Sequence, residues 1–209
     1  LTMPLVTKAD GTKFGKTESG TIWLDAGKTS PYAFYQFWLS TADADVYKFL
    51  KYFTFLTVEA IDALAQEDAE REGRPEAQRV LAREVTRLVH GDGGLEAAER
   101  ITSAMFSGDE SSLSESDLAQ LSLDGLPSSV IAREAMPETL TQLLTDAGMA
   151  ASGKQVKDAL GRSAVSINGV SVSAKNNADP ASCFAPGAAM HERYFITRLG
   201  KKKVHLFIV

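Results

Sequence analysis

The five residues Lys13-Phe-Gly-Lys-Thr17 set two ammonium groups three positions apart on a glycine-bearing segment. Charges so placed can close around a polyphosphate and neutralise the negative charge developing on a departing pyrophosphate. The Thr17 hydroxyl and the loop amides can add hydrogen bonds to the same oxygens. A second basic group lies near the other end of the sequence. Lys154 and Lys157 share a helix face, and Arg198, Lys201, Lys202 and Lys203 flank a turn at Gly200. Together they form a candidate patch for the phosphates of folded RNA, which is read largely by shape and backbone. Both patterns have a plain alternative, because Lys-x-x-Lys-Thr arises by chance in exposed loops and lysine-rich turns are common solubilising devices.

The elements that must position these groups can be read from periodicity and turn chemistry. Residues 1–28 lack helical periodicity, and Asp10-Gly11 predicts a turn in a mobile loop. Thr29-Ser30-Pro31 offers a cap and a proline at the first helical position. Val46, Phe49, Leu50 and Phe53 then form a stripe on a second helix. A third helix is expected over 58–71. A fourth starts at Pro75, with Ala77, Leu81, Val85 and Leu88 on one face and Gly91 as its stop. Leu95, Ala98, Ile101 and Met105 mark a fifth, and Ser114 reads as an N-cap between Leu113 and Leu118. The aromatics near the start are expected to be packed core.

Gly125, Pro127 and Pro137 punctuate a linker at 125–137. Beyond it a small α+β domain is predicted. Pro137 opens one short helix, and Ser152-x-x-Gln155 is a capping box for a second. Val165–Ile167 and Val170–Val172 alternate around Asn168-Gly169, a strong hairpin signal. A loose loop over 173–190 precedes strands at 194–197 and 204–209. The expected organisation is therefore 1–28 loop, 29–124 helical domain, 125–137 linker and 138–209 small α+β domain.

Composition bounds the function classes. The net charge of −5 argues by itself against nucleic-acid binding, but its distribution does not. Residues 140–209 carry nine Lys/Arg against four Asp/Glu, a balance of +5 that leaves −10 on residues 1–139. No apolar run approaches the roughly 20 residues that span a bilayer. The single cysteine, Cys183, fits a reducing cytoplasm. The opening Leu1-Thr-Met-Pro has neither a start methionine nor a basic-then-apolar leader, so a chain entered partway through is expected.

The run Pro4 to Gly20, with Trp23-Leu-Asp, Lys28-Thr-Ser-Pro-Tyr32, Phe34-Tyr-Gln-Phe-Trp38 and Thr41-Ala-Asp-Ala-Asp-Val-Tyr47, resembles the signature loop and following segment of bacterial-type tyrosyl-tRNA synthetases. The resemblance continues through Lys51–Phe55 and Val85–Gly91. Ser152–Lys157, Ala164–Gly169 and Arg193–Lys203 resemble the small ribosomal-protein-like RNA-binding module that closes that family. It implies an α-helical anticodon-binding domain followed by a small α+β RNA-binding domain, with the Rossmann-type catalytic domain absent except for its terminal loop. Lys13 and Lys16 would be the loop lysines that stabilise the pyrophosphate of ATP, with Thr17 and Lys8 supporting. Lys154, Lys157, Arg198, Lys201 and Lys202 would hold RNA. The Ser-Arg or Ser-Lys pair usual in that module is Ser152-Gly153 here. Asp43 and Asp45 would meet an anticodon base edge, or else cap their helix.

The implied reaction is tyrosine activation by ATP with Mg²⁺, then transfer to the 3′ end of tRNA(Tyr), by a cytoplasmic homodimer joined through the catalytic domain. No membrane or DNA partner is expected, and the 209 residues alone are expected to be inactive. The alternative is a stand-alone RNA-binding module without catalytic activity. Two patterns are set aside. His90-Gly-Asp-Gly-Gly94 follows a helix rather than a strand, so it is not the family's HIGH element. His191, His205 and Cys183 lack metal-ligand spacing.

Overall fold

Helix α1 (Pro31–Leu39) begins as its residue types dictate, with the Ser30 side chain accepting from the Ala33 amide and Pro31 at the first position. Helix α2 (Asp43–Phe53) buries Val46, Phe49 and Leu50 as the stripe predicts. Helix α3 (Val58–Glu70) is capped by the Thr57 side chain. Helix α4 (Ala77–Ser107) is two helices joined at Gly91, whose φ of 71° only glycine adopts at low cost. That is the stop expected there. Leu88, however, is 56% exposed, so the inward face of α4 is carried by Ala77, Leu81, Ala82 and Val85.

The computed structural model describes residues 5–17 and 20–209, with only the backbone at Lys16, Thr17 and Gly20. It divides into two compact units, Leu1–Glu99 and Arg100–Val209. The core of the first gathers Phe34, Tyr35, Trp38, Phe49, Leu50 and Leu81. Each such side chain contributes about 1.5–3 kcal/mol through burial. Asp68 near the end of α3 accepts from the Glu76 and Ala77 amides and from the Tyr47 hydroxyl, so a buried carboxylate closes the start of α4. Burial and that bond push the Tyr47 phenol up to about 12.

In the first unit, strands β1 (Lys16–Thr17) and β2 (Gly20–Thr21) pair antiparallel. In the second, helix α5 (Glu115–Gln120) has a full capping box between Ser114 and Asp117. Strands β3 (Ser128–Val130), β4 (Val165–Ile167), β5 (Val170–Val172), β6 (Tyr194–Leu199) and β7 (Lys203–Ile208) form one sheet ordered β3-β7-β6-β4-β5. Helices α6 (Leu140–Asp146) and α7 (Gly153–Gly161) share its core through Leu140, Leu144, Val156 and Leu160, with Phe195 and Phe207 from the strands. The β4–β5 hairpin turns on Asn168 (φ 47°) and Gly169 (φ 78°), as Asn-Gly demands.

Four local expectations need correction. The stretch 125–137 is not merely a linker, because β3 runs parallel to β7 and the bonds continue on both sides through Pro127 and Ile131. The first short helix starts at Leu140 on a Thr139 cap rather than at Pro137. The Ser152 side chain makes no capping bond, and only the Gln155 half of the box reaches back, to the Ala151 amide. The 173–190 loop carries helix α8 (Pro180–Cys183) and two 3₁₀ turns, and Phe184 is buried in the core.

Candidate functional site

The segment Thr7–Lys13 closes on itself. Thr7 and Lys13 form an antiparallel bridge, the Lys8 amide donates to the Thr12 carbonyl at 2.9 Å, and the Gly11 amide donates to the Lys8 carbonyl at 3.0 Å. Asp10 accepts from both the hydroxyl and the amide of Thr12, which hold its carboxyl below the usual range. The turn expected at Asp10-Gly11 is present, with Gly11 at φ 82°, and it closes a hydrogen-bonded hairpin.

Two anchors tie this hairpin to the helices. Phe14 packs among Phe37, Trp38, Phe49 and Phe53 with ring centroids 4.6–5.6 Å away. On α2, Asp45 accepts from the Ala9 amide at 2.8 Å and Lys48 donates to the Thr7 carbonyl at 2.6 Å. Lys48 and Asp45 also pair, at 3.2 Å. A cleft of about 440 Å³ opens beside the hairpin, lined by Lys8, Asp10, Phe14, Thr41 and Asp45 among others. Lys13 is exposed and Lys8 half-buried. The side chains of Lys16 and Thr17 lie outside the described residues.

The two aspartates at the start of α2 part company. Neither caps the helix, whose N-cap is Ala42 with no side-chain bond. Asp45 is only 3% exposed and serves the hairpin backbone. Asp43 is exposed, accepts from the Gln78 amide nitrogen at 2.6 Å, and lines a cleft of about 300 Å³ with Thr41, Arg74 and Gln78. The sequence alone does not mark Asp45 and Lys48 as loop partners. Their i, i+3 spacing was visible, but their targets lie 36 and 41 residues away.

In the second unit the basic residues also separate into two kinds. Lys154 and Lys157 are exposed on α7, whose Val156 and Leu160 are buried. Lys201, Lys202 and Lys203 are exposed at the β6–β7 turn. Lys202 and Lys203 line a cleft of about 390 Å³ with Leu126, Pro127, Gly148, Met149 and His205, which sets the turn beside the connection leading into α7. Arg198 points elsewhere. Its guanidinium donates to Glu110 at 2.6 Å and to the Met105 carbonyl at 3.0 Å, and Glu110 is 4% exposed. Arg193 pairs with Glu115 at 2.8 Å. The two arginines therefore brace the sheet against the segment around α5.

Gly153 also has a local reason. A Cβ there would lie 2.9 Å from the Thr141 methyl, and Thr141 is held by its hydroxyl bond to Asn177 at 2.7 Å. The set-aside histidines are structural. His90 stacks edge-on to Phe34 at 4.9 Å with its basicity lowered by burial, and a Cβ on Gly94 would meet the His90 Cβ at 2.6 Å. His191 meets the Leu113 carbonyl and His205 the Ser129 hydroxyl. Among the described residues no cluster of three or more His, Cys, Asp or Glu could hold a metal ion.

A family model described as tRNA synthetases class I (W and Y) matches residues 1–107, and a tyrosine–tRNA ligase SYY-like C-terminal domain matches 117–207. The first match runs well past the loop, so the expectation that only a terminal loop of the catalytic part is present gives way to a class I match that includes the helical region. The chain is 58% identical over 208 residues to a tyrosine–tRNA ligase of Aliivibrio fischeri, covering 100% of this chain and 47% of that protein. It is 53% identical over 202 residues to that of Chromobacterium violaceum, covering 97% and 46%. A C-terminally truncated mitochondrial tyrosyl-tRNA synthetase of Coccidioides posadasii has 40% identity and a TM-score of 0.41, with 48% of this chain and 26% of that one covered. The chain thus spans about half the length of the curated relatives it matches. Nothing in these matches supports a stand-alone RNA-binding module.

Proposed function

Because the chain belongs to the class I tRNA synthetase family of the tryptophan and tyrosine type, we propose that it is the part of a tyrosine–tRNA ligase that supplies the ATP-phosphate loop and the tRNA-binding surfaces. The reaction has two steps. The tyrosine carboxylate attacks the α-phosphorus of ATP and pyrophosphate leaves; the 3′-terminal hydroxyl of tRNA(Tyr) then attacks the adenylate carbonyl and AMP leaves. Lys13 and Lys16 neutralise charge on the departing pyrophosphate, with Lys8 and Thr17 in support. Mg²⁺ enters with the nucleotide as part of the substrate.

The observation that carries this reading is the exposed Lys13 on a hairpin fastened at Thr7, Ala9 and Phe14. A fixed backbone makes a lysine a positioned charge rather than a diffuse one. Transfer RNA binds along the exposed Lys154, Lys157, Lys201 and Lys202. Asp43, beside Arg74 and Gln78, takes the edge of an anticodon base. Arg198, committed to Glu110, is left out of the RNA face. The enzyme works in the cytoplasm as a homodimer, without membrane or DNA partners.

Two measurements test the proposal. In the full-length ligase, K13A/K16A slows tyrosine-dependent ATP–pyrophosphate exchange by at least about 100-fold; full-speed exchange overturns the loop assignment. The chain binds tRNA(Tyr) more tightly than an unrelated RNA, with affinity falling steeply with salt; equal binding of both overturns the tRNA assignment.

A further inference from the structure

The phosphate loop has to hold its lysines to within a fraction of an ångström, yet its own sequence argues for freedom. Gly11 and Gly15 both take positive φ, and neither has any heavy atom near where a Cβ would sit. The backbone of such a segment is fixed only by what grips it. Phe14 grips one end through the aromatic cluster. The other end is gripped by charge: the Ala9 amide and the Thr7 carbonyl, on either side of Lys8, are bound by Asp45 and Lys48 one helical turn apart on α2.

This grip has features of a built device rather than a chance surface contact. Asp45 is 3% exposed, so its carboxylate needs partners, and it finds them in the Ala9 amide and the Lys48 ammonium. Lys48 in turn divides its donors between Asp45 and the Thr7 carbonyl. The pair thus satisfies one backbone donor and one backbone acceptor of the hairpin together. Since Thr7 also bridges to Lys13, a shift at Thr7 moves the Lys13 backbone directly.

We propose that Asp45 and Lys48 form a polar latch that positions the phosphate-loop lysines for adenylate formation. This rests on the loop reading above. The pair touches no reacting atom, so both are positioning residues, and their loss shows in the chemical step rather than in tyrosine binding.

The test uses the full-length ligase in ATP–pyrophosphate exchange, with K13A run beside the latch variants. D45A is expected to lower kcat about tenfold, since a misplacement of about 1 Å in a catalytic group can cost that much or more. Its KM for tyrosine stays within about twofold of wild type. D45N keeps an acceptor for the Ala9 amide and recovers most of the lost rate; K48M, which loses the Thr7 contact, falls between the two. A slow K13A with D45A at full kcat overturns the latch and leaves the loop reading standing. Equal losses in D45A and D45N, with tyrosine KM and melting temperature moving together, also overturn it, because that pattern marks general destabilisation. A K13A enzyme at full speed would instead sink the loop reading itself.

Discussion

The two basic regions use the same residue types in opposite ways. At the hairpin of the first unit, an exposed lysine rides on a backbone gripped by a buried carboxylate, a second lysine and an aromatic cluster. At the β6–β7 turn of the second, the lysines are exposed on a regular hairpin, while Arg198 is spent on the buried Glu110 and Arg193 pairs with the exposed Glu115. The difference fits the tasks proposed for the two regions. Stabilising a leaving group needs one charge at one place, whereas holding RNA phosphates needs a field that tolerates small shifts. It also follows from the side chains, because the guanidinium of Arg198 has donors for both the Glu110 carboxylate and the Met105 carbonyl, and an ammonium on a flexible stem suits solvent.

The brace offers the strongest way to break this contrast. R198A leaves Glu110, 4% exposed, as an unpaired buried carboxylate and also strips the Met105 carbonyl of its donor. Removing one partner of a buried pair costs about 3–5 kcal/mol, so the urea midpoint for the second unit should fall sharply. RNA affinity of the protein that remains folded should barely change. A variant of normal stability that loses RNA binding would make Arg198 part of the RNA face after all.

A smaller effect separates another committed arginine, Arg100 with its partner Asp117, from the turn by pH. Asp117 is fully buried and bonded by both ends of the Arg100 guanidinium. Burial alone would raise its carboxyl, but the Arg100 bonds and those of Ser114 outweigh it, and the net shift is downward. A carboxyl lowered in the folded state contributes stability that is present above its unfolded value, near 3.8, and lost as pH falls through the lower folded one. Unfolding midpoints should therefore drop below about pH 4, and D117N should flatten that acid limb at the cost of lower stability at pH 7. The K201A/K202A variant should show neither change. It should instead weaken RNA binding about tenfold at moderate salt and reduce the salt slope by about two, measured by titration at several salt concentrations.

Most of the architecture could be read in advance wherever the signal was local. Ser30-Pro31, the α2 stripe, Gly91, the Ser114 cap and Asn168-Gly169 each act within a few residues of themselves, and each stands where its chemistry puts it. What was hidden depends on distant partners. Nothing near Arg198 in the chain reveals Glu110, 88 residues earlier, and nothing near Asp45 reveals Ala9. β3 is not legible in the sequence because a three-residue strand between prolines has no periodicity to read; it is defined only by its partner β7. The site was legible as residue types, and the sorting of those residues into free and committed was not.

The finest test concerns a charge that is missing. If the start of α7 faces RNA as proposed above, G153K should add one phosphate contact beside the exposed Lys154. Yet the new Cβ would crowd the Thr141 methyl, which cannot swing away without releasing Asn177. Overpacking of this kind costs about 1–3 kcal/mol, so G153K alone should lose stability and gain little affinity. T141S removes the methyl while keeping the hydroxyl that bonds Asn177, and G153K/T141S should recover the melting temperature and bind RNA severalfold more tightly. Should the double variant recover stability without any gain in affinity, the start of α7 lies off the RNA path, and the exposed lysines of the β6–β7 turn carry that role without it.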